Sequence, residues 1–120
     1  MLDARRRDPG GLGLEVLSRQ LARAGTDDDR DEIRRLATRL LDEVSRGIAI
    51  SRGALAGLPD VLRDAVVEGR RRLAEALIEL VRWPEEGEPR PSIVSVARVL
   101  AALRRQRVLE QRVIAFAQAS

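Results

Sequence analysis

The chain has 120 residues, the length of one ordinary domain, and contains neither cysteine nor histidine. Its 22 basic residues are all arginine and face 19 acidic residues, so the net charge is only +3. These absences exclude thiol nucleophiles, histidine bases, the usual zinc ligands and phosphate loops that need a lysine. The sequence therefore predicts no enzyme, no metal site and no cofactor.

The same composition also indicates the cellular compartment and limits the kinds of molecule that the protein could bind. With no cysteine, no signal peptide and no long apolar run, we expect a cytoplasmic protein without membrane association. The only aromatic residues are Trp83 and Phe116, which leaves little scope for base stacking on single-stranded nucleic acid. The high arginine content does not by itself indicate a binding function, because the codons of a GC-rich genome also favour arginine.

The chain begins with a predicted tail and a predicted short helix. Residues 1–11 are expected to be flexible, because the stretch Pro9–Gly11 disfavours a continuing helix. Apolar residues then recur at helical spacing over Leu12–Ala24, and Gly25 suits a C-terminal cap. Residues 12–120 are predicted to form a single helical-bundle domain.

A second helix is predicted to begin at Thr26–Asp29 and to run to about Arg46. Threonine and aspartate are favoured N-caps, and the negative charge of the aspartates interacts well with the N-terminal end of a helix. A weaker helical piece is expected over Ile48–Ala56, because glycine recurs there and weakens a helix by about 1 kcal/mol per residue.

The stretch Asp60–Trp83 is predicted to be the central helix, with Pro59 at its first turn. Its apolar residues cover most of its circumference, which predicts burial by several neighbouring helices. Pro84 is expected to end this helix. Segment 84–91, which holds three prolines and a glycine, is predicted to be an exposed loop.

A last long helix is predicted from Ser92. Its first apolar face comprises Ile93, Val96, Ala97, Leu100 and Leu103. Further along the helix, the apolar positions move to another face, which comprises Leu109, Val113 and Phe116. Either the helix wraps around a core, or its second face meets a partner. The second alternative predicts that these three residues form a contact surface flanked by Arg105 and Arg112.

The arginine clusters supply a different prediction. The guanidinium fork binds pairs of phosphate oxygens. Two clusters on neighbouring antiparallel helices would form one basic strip, which could follow a nucleic-acid backbone without reading its sequence. The predicted phosphate contacts are Arg70, Arg71, Arg72, Arg104 and Arg107.

No motif identifies a family, so the sequence predicts a fold class and only classes of function. The fold is an all-α compact bundle of about four main helices, with a short N-terminal helix. The first functional prediction is a non-enzymatic interaction or assembly protein that self-associates through its last helix or binds a protein partner. The alternative is a sequence-independent nucleic-acid backbone binder within a ribonucleoprotein or DNA-bound complex. A weaker alternative places an apolar small molecule between Gly47–Gly57 and the central helix.

Overall fold

A computed structural model describes residues 9–86 and 92–119, and within them the chain is almost entirely helical. The helices are α1 (Pro9–Thr26), α2 (Arg30–Arg46), α3 (Arg52–Leu55), α4 (Asp60–Glu86) and α5 (Ser92–Ala119). The predicted all-α bundle of four main helices is confirmed, since four of these are long and α3 is a single turn.

The four long helices form a ring in which each helix has two principal neighbours. Helix α1 packs on α2 and α5, and α4 packs on the same two helices from the other side. The prediction that α4 is the central helix is therefore wrong, because a four-membered ring has no centre and each helix keeps an outward face. On α4 that outward face includes Val67 and Ile78, both of which are exposed.

Helix α1 is longer than the sequence predicted. It starts at Pro9, where a proline is tolerated because the first N–H of a helix has no partner within it. The predicted tail therefore overlaps α1 at 9–11, and its remainder lies outside the described residues. Gly25 lies inside α1 rather than capping it. A Cβ at Gly25 would lie 3.0 Å from Val96, so the glycine lets α1 and α5 approach closely.

Helix α2 begins and ends as predicted, with Asp29 as its N-cap. The Asp29 carboxylate accepts a hydrogen bond from the backbone N–H of Glu32 at 3.2 Å. Gly47 ends the helix with a φ of 143°, a value that favours glycine. The predicted helical piece over Ile48–Ala56 is limited to α3, and the preceding turn inserts Ile48 and Ile50 into the core.

Helix α4 continues past Pro84 to Glu86, so the predicted stop at Trp83 is wrong. Pro84 has no N–H to donate to the carbonyl of Leu80, and the helix extends only two residues beyond it. The predicted loop over 84–91 thus loses its first three residues to α4, and residues 87–91 lie outside the described part of the chain.

The core consists of two apolar clusters. The larger one joins α1, α2, α4 and α5 and includes Leu73, Leu103 and Val96. The smaller one lies at the other end of the α4–α5 pair, where Ile50, Val66 and Val113 are buried together. Because these clusters are separated along α4 and α5, the residues between them decide how the two ends of the bundle are joined.

Candidate functional site

The buried stripe of α5 does not shift around the helix as the sequence suggested. It runs through Val96, Val99, Leu103, Gln106, Glu110 and Val113. These positions alternate by three and four residues, so they form one continuous helical face. The prediction that Ile93 and Ala97 belong to the core face is wrong, since both are exposed. The apparent shift arose because two polar residues occupy the middle of the stripe.

Glu110 is completely buried at the junction of the two apolar clusters. Arg70 of α4 reaches it in a bidentate ion pair, with Nη2–Oε1 at 2.8 Å and Nε–Oε2 at 2.9 Å. The backbone N–H groups of Ala49 and Ile50 donate to Oε1 at 3.0 and 3.1 Å. The Gln106 amide donates to Oε2 at 2.8 Å. We call Arg70, Gln106 and Glu110 the polar clamp.

The polar clamp also binds two backbone carbonyls. Arg70 donates through Nη2 to the carbonyl of Ile50, and Gln106 donates to the carbonyl of Val66 at 3.2 Å. The clamp therefore ties the turn after α2 to both α4 and α5. Its geometry is that of a structural junction, in which a buried charge is paired and hydrogen-bonded.

The pKa of the Glu110 carboxyl is lowered despite its burial. Desolvation acts to raise that pKa, because burial disfavours the charged form. Hydrogen bonds from Arg70, Gln106 and the backbone of Ile50, together with the charge of Arg70, outweigh the effect of burial. Glu110 is thus held as a carboxylate, which suits an acceptor in the clamp and not a proton donor.

Arg70 cannot serve as the phosphate contact predicted from the sequence, because its side chain is only 12% exposed and is committed to Glu110. Its neighbours are exposed but also paired. Arg71 bonds Glu68 and Glu75, and Arg72 bonds Glu68 at 3.1 Å. The hydrogen bond from Arg71 lowers the pKa of Glu68. The α4 cluster is therefore largely neutralised by its own helix.

The arginines of α5 differ from those of α4 in their lack of acidic neighbours. Helix α5 contains five arginines and one acidic residue, Glu110, which the clamp buries. Within residues 13–82 and 92–119, whose side chains the structure describes, none of the five has a carboxylate at ion-pairing distance. They form a row of three at seven-residue spacing (Arg98, Arg105 and Arg112), which we call the arginine row, and a separate pair (Arg104 and Arg107).

The arginine row and the separate pair lie beside two different surface grooves. The α1–α5 groove, of about 300 Å³, is bordered by Arg104 and Arg107 together with Glu15 and Arg19 of α1. The α4–α5 groove is larger, at about 690 Å³, and Arg98 and Arg105 lie on its α5 side. Its walls are formed largely by small residues, namely Ala65, Gly69, Ala76, Ala101 and Ala102.

The predicted contact surface on α5 is divided by the structure. Val113 is buried in the smaller cluster, so its assignment to a partner surface is wrong. Leu109 packs partly on that cluster and also lines the α4–α5 groove. Arg105 lines the same groove, and Arg112 and Phe116 follow on the same side of α5, with Phe116 64% exposed. Four of the five residues thus share one side of α5.

The space predicted to hold an apolar ligand is occupied by the chain itself. Between Gly47–Gly57 and α4, the side chains of Ile50 and Leu55 pack with Val66 and Leu62. No group of three or more acidic side chains within the described residues could hold a metal ion. Over the same residues, no helix combines the length and apolarity that crossing a bilayer requires.

Comparisons with family models, curated proteins and solved structures found no match to this chain.

Proposed function

We propose that this protein is a non-enzymatic interaction protein that binds an acidic protein partner along α5. The observation that carries this proposal is the arginine row, which forms no ion pair among the residues whose side chains are described and adjoins exposed apolar side chains. Val108 and Phe116 are exposed on the same helix at 41% and 64%. Arginine and apolar residues together are typical of protein-binding surfaces.

The charge of α5 bears on what kind of partner fits. A contact between two copies of α5 would place arginines opposite arginines, which is unfavourable at close range. An acidic partner would instead supply the carboxylates that the helix lacks. The prediction of self-association through α5 is untested, and the charge pattern favours a different protein over a second copy.

Affinity purification with matched charge reversals tests this proposal. The wild-type chain, Arg105→Glu/Arg112→Glu and Arg104→Glu/Arg107→Glu would each be used as bait in nuclease-treated extract of the source organism. We expect the first double variant to lose a protein that the wild type and the second variant both retain. Recovery of the same proteins by all three baits would contradict the proposal.

A nucleic-acid backbone binder is the second candidate, and one observation favours it. Four exposed or half-buried arginines, Arg104, Arg105, Arg107 and Arg112, follow one another on α5 without an ion-pairing carboxylate among the described residues. Such a binder would use all four, and its affinity would fall steeply with salt because bound counterions are released. Both double variants would then lose a duplex oligonucleotide to a similar extent.

A further inference from the structure

We propose that the α4–α5 groove is a docking site for an acidic amphipathic helix of a partner protein. This inference rests on the proposed function and specifies its surface and the form of the partner. The groove lies between two helices whose facing residues are small, so a third helix can approach closely. Its floor contains Leu73 and Leu109, which can receive an apolar stripe.

The positive charge along the groove indicates which side of a bound helix would carry its carboxylates. Arg98, Arg105 and Arg112 recur every seven residues, so they lie almost in line along α5. From the first to the last they span about 21 Å, at 1.5 Å per residue. A helix of four turns would match this length, and carboxylates at seven-residue spacing on one flank would face the three arginines in turn.

The groove lining also contains a polar side chain, Gln106, with unused hydrogen-bonding capacity. Gln106 lies in the groove lining and is only 5% exposed. Its amide nitrogen donates to Val66 and Glu110, but no donor of the described residues bonds its Oε1. This oxygen is open to solvent rather than buried without a partner. A hydroxyl or amide side chain in the middle of the docked helix would take the place of water as its donor.

The same features disfavour a phosphate backbone as the occupant. The groove lining combines three arginines (Arg72, Arg98 and Arg105) with one carboxylate, Glu68, which Arg71 and Arg72 already bind, so charge alone does not separate a phosphate from a carboxylate partner. The remaining lining is mostly apolar, and nucleic-acid phosphates gain little from apolar surface.

A second copy of this chain also fits less well than a distinct acidic helix. The α4 carboxylates that could meet the arginine row are mostly engaged: Asp60 with Arg63, and Glu68 and Glu75 with Arg71. Those pairs would have to break before the acids could bind another molecule. A separate acidic helix carries no such cost.

The test uses a labelled helical peptide as a defined probe. The peptide has 24 residues, with alanine and leucine on one face, one central serine and glutamates at seven-residue spacing on one flank. A peptide of the same composition in scrambled order is the control, and fluorescence anisotropy with the full chain measures both. We expect the scrambled peptide to bind at least about tenfold more weakly, because it matches the charge but not the face.

Three variants of the chain complete the test. Arg105→Glu should weaken binding of the amphipathic peptide by about tenfold or more, since it reverses a charge in the groove. Arg104→Glu makes the same change one residue away, beside the other groove, and should change binding by less than about threefold. Ala65→Trp fills the groove from an exposed position on α4 and should also weaken binding.

Each outcome discriminates between the inference and its alternatives. Equal binding of the two peptides, or equal loss in Arg105→Glu and Arg104→Glu, would overturn the groove as a helix site. Tighter binding of a duplex oligonucleotide than of the amphipathic peptide would overturn it in favour of a nucleic acid. Light scattering that shows a dimer lost in Ala65→Trp would overturn it in favour of a second copy. If the peptide fails while the affinity purification succeeds, the proposed function stands and only the groove is wrong.

Discussion

Glu110 lies at the junction of the two apolar clusters of the core and connects the elements that form them. Its carboxylate accepts hydrogen bonds from two side chains and two backbone N–H groups, and none of its surface is exposed. Such a pair contributes little net stability compared with an apolar core, because desolvation offsets the attraction between the charges. Its effect is on specificity: only one placement of the turn after α2 satisfies the carboxylate.

Removal of Arg70 should therefore cost far more than removal of its exposed neighbours. We expect Arg70→Met to destabilise the protein by about 3–5 kcal/mol, because Glu110 would remain buried without its charged partner. Arg72→Met is the matched control and should have a small effect, since its pair with Glu68 is exposed to water. Urea denaturation of both variants measures the difference. Equal losses of stability in the two variants would show that the buried ion pair contributes no more than the exposed one.

The lowered pKa of Glu110 predicts a loss of stability in acid. A carboxyl whose pKa is lower in the folded chain contributes stability above its unfolded pKa, and that contribution disappears as pH falls through the folded pKa. Stability should thus decrease below about pH 4.3, the ordinary glutamate value. Glu110→Gln should show a flatter decrease over this range in melting temperature against pH. Glu79→Gln, at an exposed position on α4, serves as the surface control, and a curve for Glu110→Gln parallel to wild type would contradict the prediction.

The polar clamp shows what sequence reasoning can and cannot recover at single positions. The alternating spacing from Val96 to Val113 was visible in the sequence, and it would have placed Gln106 and Glu110 on the buried face. Polar side chains at those positions were interpreted as the end of the stripe. Arg70 was harder, because it is one of three consecutive arginines and only the rotation of α4 determines which points inward.

Among the elements, the turn between α2 and α3 depends most on backbone conformation. Gly47 and Ser51 form an isolated antiparallel bridge, and the Ala49 and Ile50 N–H groups between them face Glu110. The positive φ of Gly47 makes this turn tight enough for both N–H groups to reach the Glu110 carboxylate. A Cβ at Gly47 would come within 2.8 Å of the Ile50 carbonyl oxygen.

Gly47→Ala should accordingly destabilise the protein by about 1–3 kcal/mol, through backbone strain and displacement of the turn. Gly53→Ala is the control within the same segment, since a Cβ there meets no atom within 4 Å. That control should be neutral or stabilising by up to about 1 kcal/mol, because alanine favours helix α3. Thermal unfolding of both variants decides the matter. A stable Gly47→Ala would show that the turn tolerates another conformation.

Helix limits could be predicted where local chemistry acts alone and not where packing competes. Asp29 and Gly47 determine the ends of α2, and the sequence predicted a start within Thr26–Asp29 and an end at about Arg46. Pro84 predicts an end to α4 at Trp83, whereas the structure continues the helix to Glu86, although Pro84 cannot donate to the carbonyl of Leu80. The segment Ile48–Ala56 has helical spacing, yet the clamp holds its first residues in a turn.

For the whole molecule, the number of long helices and the fold class followed from the sequence, but their arrangement did not. The apolar residues around most of α4 predict burial by several neighbouring helices, whereas the ring leaves Val67 and Ile78 exposed. Amphipathic spacing determines which face of a helix is apolar, and pairing between helices requires tertiary contacts. The same limit applies to α5, where Val113 and Phe116 share an apolar pattern but not an environment.

Substitutions at Val113 and Phe116 distinguish an effect on folding from an effect on association. Val113→Asp should destabilise the chain by several kcal/mol, because it introduces a charge into the smaller apolar cluster. Phe116→Asp should change stability by about 1 kcal/mol or less, as expected for a mostly exposed position. Urea denaturation and light scattering on the same samples test both expectations. A folded, monomeric Val113→Asp beside an oligomeric wild type would instead show that this residue contacts a second copy, as the sequence alone predicted.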